Sequence, residues 1–158
     1  MNSGGPDGEI GASMRYLSQR FTAPNRVCMA VLTDVATEEL GHLEMVSTIV
    51  HQLTANLTVE EIENQGFADY YVDHAVGIWP QSAGGIPFNS CEFQSKGDPI
   101  TDMFESMAAE QKARSTYDNI LRVVRDIPEI ADPIRFLRAR EVVPVSYTHL
   151  TLPTTPYV

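Results

Sequence analysis

Along most of this chain the apolar residues return at three- and four-residue steps, the spacing of one helical face. A first helix is predicted to start near Glu9, after the turn-forming stretch from Asn2 to Gly8, and to end before Pro24. A second, longer one runs from about Asn25 to Ala55, its apolar stripe marked by Val31, Val35, Leu43, Val46, Ile49, Val50 and Leu53. Thr58 followed by Glu61 has the form of a capping box for a short helix over Val59 to Asn64. From Gly66 to Pro99 the periodicity is lost among Gly, Pro, Ser and aromatic residues, which predicts a long ordered loop of functional or interfacial use. A third long helix follows Asp98 and Pro99, with Met103, Met107, Tyr117, Leu121 and Val124 on one face. Pro128 and Pro133 are expected to bracket a turn, and a fourth helix to begin near Ile134 and break off at Val143. The pattern is all-α, with four long helices.

Some residues do not fit the faces on which they fall. Glu39 and His42 are three apart in the second helix and share the apolar face that carries Val35 and Val46. Burying an unpaired carboxylate costs several kcal/mol, on the order of the penalty for an uncompensated ion, so such a residue calls for a partner, and a metal ion is one solution. Glu38 and Glu44 point away from that face and are expected to be solvated. Glu110 repeats the anomaly between Met107 and Arg114, although pairing with Arg114 one turn on would also account for it. Glu9 does so in the first helix, where it could equally serve the helix dipole. One Glu from each of two helices, with Glu-x-x-His motifs on two others, is the ligand set of di-iron and di-manganese bundles. The fourth helix offers Glu141, but the position three residues later is Pro144. His51 and His74 lack such company and read as ordinary surface or loop histidines.

Composition narrows the function classes. The 158 residues carry 21 acidic against 11 basic side chains, a formal charge of -10, which argues against a nucleic-acid partner because phosphates are met mainly by Lys and Arg. Cys28 and Cys91 stand 63 positions apart, in no zinc or disulfide pattern, and are expected to be reduced thiols. No apolar run reaches the roughly 18 residues of a membrane span. The first residues are polar and glycine-rich rather than a signal peptide, so the expected location is the cytoplasm.

Three segments carry a resemblance to a known family. Gly4 to Glu9 (GGPDGE), Thr37 to His42 (TEELGH) and Ala108 to Arg114 (AAEQKAR) resemble the manganese catalases. Tyr70 to His74 (YYVDH) and Gln94 to Pro99 (QSKGDP) are similar to the spore-coat-associated CotJ-type branch of that family. The resemblance, which covers nearly everything from Gly4 to Val143, implies a ferritin-like four-helix bundle around two manganese ions, with iron as the alternative metal. It implies disproportionation of hydrogen peroxide to water and oxygen, a homo-oligomer such as a hexamer, and a possible place among spore-coat proteins. It places Glu9, Glu39, His42 and Glu110 on metal-ligand positions, and Tyr16 and Glu141 on positions that hydrogen-bond the metal cluster. A structural coat protein of the same fold, or a di-iron protein, is the alternative.

The same resemblance implies a further helical stretch before Gly4 and a histidine at position 144, where this chain has Pro144. The segment from Val145 to Val158 resembles one reading frame of a transposase sequencing adapter, and a His codon cut after its first base would then read as Pro. On that reading residues 1–143 are a partial di-manganese domain and 144–158 a non-native, disordered tail, in which His149 is not a ligand. Activity of the chain as it stands is expected to be impaired or absent.

Overall fold

The computed structural model describes residues 4–5, 8–66, 82, 86–93 and 95–141. Among them are five α-helices: α1 (Glu9–Gln19), α2 (Arg26–Thr54), the short α3 (Val59–Asn64), α4 (Pro99–Val124) and α5 (Pro128–Arg140). Short 3-10 turns follow α1 at Arg20–Thr22 and precede α4 at Ser90–Glu92. The helix starts follow from local chemistry. Asn25 accepts from the Cys28 amide to open α2, Asp98 accepts from the Thr101 amide to open α4, and Thr58 and Glu61 form the reciprocal capping box of α3.

α1 packs along α2 and α4 along α5, and the two pairs meet where α1 faces α4 and α2 faces α5. The result is a four-helix bundle. Two apolar clusters hold it: Tyr16, Val35 and Ala36 between α1 and α2, and Val46, Tyr117, Ile134 and Leu137 among α2, α4 and α5. Glu39 and His42 lie on α2 between these clusters. Arg138 pairs with Asp118 of α4 and Arg140 with Glu38 of α2, so the last turn of α5 is tied to both neighbours.

In the course and packing of the helices the structure departs from the sequence expectations in three places. Pro128 and Pro133 do not bracket a turn. Pro128 takes the first position of α5, where its missing N–H costs nothing, and Pro133 lies inside the helix. Burial of Ala131, Ile134 and Leu137 outweighs the one backbone bond that Pro133 forfeits. Leu53 is 56% exposed, because the buried stripe of α2 continues from Val50 to Thr54, whose hydroxyl donates back to the Val50 carbonyl at 2.8 Å. In the first half of α4 the buried face is Asp102, Ser106 and Ala109, one position off the half-buried Met103 and Met107.

That shift has a polar cause. Asp102 accepts from the amides of Lys96 and Gly97 at 2.6 and 3.0 Å, Ser106 donates to Gln19 at 3.0 Å, and Gln19 donates to Ser95 at 3.2 Å. Gly97 has φ +80°, a left-handed conformation that a side chain disfavours, and it turns the chain so that both amides reach Asp102. The final part of the expected loop is therefore anchored on α1 and α4. Most of its earlier part, with His74, lies outside the described residues, as does everything from 142 onward, including Pro144 and His149.

Leu137, fully shielded in the second cluster, provides a test of the packing. Leu137→Ala should cost about 2–5 kcal/mol in chemical denaturation, whereas Val123→Ala, at a side chain 82% exposed, should change stability by less than about 0.5 kcal/mol.

Candidate metal centre

Each long helix contributes acid to the space between the clusters. Glu9 opens α1, Glu39 and His42 come from the middle of α2, Glu110 from the middle of α4, and Glu141 from the residue that ends α5. None of these side chains is more than 4% exposed. Nδ1 of His42 is 2.9 Å from Glu39 Oε2 and 3.9 Å from Glu9 Oε2. One ligand atom from each of Glu9, Glu39 and His42 lies within 4.8 Å of the others, a grouping that could hold a metal ion.

Two tyrosines steady the acids. The Tyr16 hydroxyl donates to Glu110 and the Tyr117 hydroxyl to Glu9, joining residues 94 and 108 positions apart in the chain. Arg114 does not take Glu110 as a partner: its side chain donates to Gln111 at 2.9 Å and lies 3.5 Å from Asp118. Glu110 is thus committed to the core. Glu38, expected to be solvated, is instead half-buried and held by Arg140, while Glu44 is exposed as expected.

Crowding of like charges away from water governs the electrostatics. Burial, then the neighbouring Glu110 carboxylate, raises the Glu39 pKa to about 8. Burial and contact with Glu110 push Glu141 up to about 12, so it keeps its proton at neutral pH. Glu9 is raised well above the carboxylate range by burial and by Glu39, against which the Tyr117 hydroxyl works. Burial and Glu110 likewise hold the Tyr16 hydroxyl protonated. Two buried polar atoms here, His42 Nε2 and Glu141 Oε1, have no hydrogen-bond partner among the described residues.

A divalent cation fits this arrangement. Four carboxyl groups with a single imidazole form a hard, oxygen-rich donor set of the kind suited to manganese or iron rather than to zinc or copper(I). A cavity with room for about one water-sized molecule opens beside it, walled by Glu9, Glu110, Glu141 and Arg15 and otherwise by glycine and alanine.

The sequence profile described as manganese containing catalase matches residues 2–149. The chain belongs to the manganese catalase family. It is 46% identical over 140 residues to protein CotJC of Bacillus subtilis, covering 89% of this chain and 73% of that one. Over 138 residues it is 30% identical to a probable manganese catalase of Clostridium acetobutylicum, covering 87% of this chain and 61% of the relative. Manganese catalase KatB from Anabaena shares the fold with a TM-score of 0.83 at 25% identity, over 99% of this chain and 74% of that one. The chain thus spans between about three fifths and three quarters of the length of these relatives.

All six residues singled out from the sequence, Glu9, Tyr16, Glu39, His42, Glu110 and Glu141, are brought into this one buried space. The sequence reading missed the hydroxyl of Tyr117 and the place of Glu38. Tyr117 lies two turns beyond Glu110 on the same face, a spacing that could have pointed to it. His51 is exposed, as expected of a surface residue. Cys28 is buried in α2 and Cys91 exposed, with no disulfide between them. No helix among the described residues is long and apolar enough to cross a membrane.

The raised acids make metal-free stability depend on pH. A carboxyl that holds its proton longer in the folded chain contributes stability that is lost as pH rises from the ordinary value toward the folded one. For Glu39 that window runs from 4.5 to about 8. The melting temperature of metal-free protein should therefore fall between pH 5 and 8, Glu39→Gln should flatten the fall, and added manganese should reverse it while releasing protons, as calorimetry in two buffers would show.

Proposed function

We propose that the chain is a manganese catalase that disproportionates hydrogen peroxide to water and oxygen at a dinuclear site. One observation carries this reading: Glu9, Glu39, Glu110, Glu141 and His42, supplied by all four long helices, are buried together beside a water-sized cavity. Glu9, Glu39, His42 and Glu110 are the proposed ligands. Bound manganese would supply the two-electron exchange, alternating between its +2 and +3 states as one peroxide is reduced and another oxidised.

The chain's own groups set the conditions for that exchange. Tyr16 and Tyr117 donate to Glu110 and Glu9, which fixes the direction in which each carboxylate presents its second oxygen. Glu141, which lines the cavity beside Glu110, would be the group that gives a proton to the oxygen that leaves as water and recovers one from the peroxide that is oxidised. Gly8, Ala12 and Ala109 leave space for a substrate little larger than water. A homo-oligomer, a cytoplasmic or spore-coat location and association with other coat proteins belong to the same reading by family likeness.

The 46% identity to CotJC favours one second reading, a coat protein of this fold that binds metal with little turnover. Iron in place of manganese is the other alternative. Pro144 at the position where the family resemblance calls for an imidazole is expected to weaken metal loading and activity in the chain as it stands.

Metal analysis and oxygen evolution from peroxide decide among these readings, on the present chain and on a version whose residues from 144 onward continue α5 with a histidine at 144. About two manganese per chain, with oxygen evolution lowered at least 100-fold by Glu39→Ala, is expected of the extended version. Manganese without oxygen evolution would favour the coat protein, and iron retained in its place the di-iron reading.

A further inference from the structure

His42 has carboxylates on both ring nitrogens. Nδ1 faces the cluster, with Glu39 and Glu9 beside it. Nε2 faces the other way, is shielded from solvent, and has Glu38 Oε1 at 3.5 Å as its nearest carboxylate oxygen among the described residues. Glu38 is one turn before His42 on α2 and is gripped by Arg140, whose Nη2 lies 2.7 Å from Glu38 Oε2 and whose Nε binds the other oxygen. A fork of this kind fixes the plane of a carboxylate and keeps it ionised. Arg140 itself immediately precedes Glu141. Imidazoles that bind metal through one nitrogen commonly give the other N–H to a carboxylate, which sets the tautomer and strengthens the ligand.

We propose that Glu38, held by Arg140, is a positioning residue for the metal centre: with metal bound it accepts a hydrogen bond from the Nε2–H of His42, which keeps the ring proton on Nε2 and leaves Nδ1 to bind manganese. The proposal rests on the manganese reading above. It gives the ion pair between α2 and α5 a second task, since the arginine that docks the last helix also sets the orientation of an imidazole on another. Without Glu38 the ring has no acceptor on that side among the described residues, and the alternative tautomer, with the proton on Nδ1, blocks the ligand position.

Manganese affinity, read from loss of the free-ion electron paramagnetic resonance signal, tests this beside the melting temperature of each metal-free protein. Glu38→Gln can still bond to Arg140 through its amide oxygen but offers no charged acceptor to Nε2. It should bind manganese about 10- to 100-fold more weakly while its metal-free melting temperature stays near that of the parent. Arg140→Gln should lower the melting temperature and weaken manganese binding less than Glu38→Gln does. Manganese affinity within about twofold of the parent in Glu38→Gln, or losses of affinity that simply follow melting temperature across both variants, would overturn the assignment while leaving the manganese reading intact. With the version that continues α5 with a histidine at 144 as the parent, failure to take up manganese would overturn both.

Discussion

The fold turns on one electrostatic problem, that of holding four carboxyl groups within a shared space closed to water. Each is costly to ionise there alone, and together they repel. Two remedies are available to such a cluster: keep protons, as Glu141 does, or surround a cation. The remaining arrangements are compatible with the second remedy. Apolar clusters on either side exclude water, tyrosine hydroxyls donate to Glu110 and Glu9, and alanines and glycine leave room along one wall.

The polar layer around Gln19, Asp102 and Ser106 has a different purpose. It lies at the end of the bundle where the long connection returns to α4, and it converts loop amides and a glutamine into a fixed anchor. Its members accept and donate among themselves, so their burial is balanced within the protein. The acids of the candidate metal centre are not balanced in that way, and the contrast separates a structural polar layer from a cluster that could hold a metal ion.

Much of this is legible in the amino-acid sequence. Helices announce themselves by their spacing and their caps, and Glu39, His42 and Glu110 stand out because charge on an apolar face is an anomaly. Glu9 shows the same anomaly more weakly, Glu141 has the place of the first half of a second Glu-x-x-His pattern, and the family pattern then gives both a position at the site. Other features stay hidden for physical reasons. Tyr117 reads as core whether or not its hydroxyl has a task, and the buried face of the first half of α4 is masked by methionines one position away. Pro133 looks like a helix breaker because the packing of Ala131, Ile134 and Leu137 cannot be seen in the chain alone. Glu38 acquires meaning only when Arg140, 102 residues later, folds onto it.

The pairing of Tyr117 with Glu9, and the presence of Glu141 in the same cluster, mean that the centre draws on nearly the first and nearly the last described residues. Such contacts close late, after their loop entropy has been met by the rest of the fold. During synthesis from the N-terminus, α1 and α2 would emerge with half of the acids and nothing to complete them. The full set of acids is therefore assembled only when α5 docks on α2, whereas Glu9, Glu39 and His42 come together as soon as α1 pairs with α2.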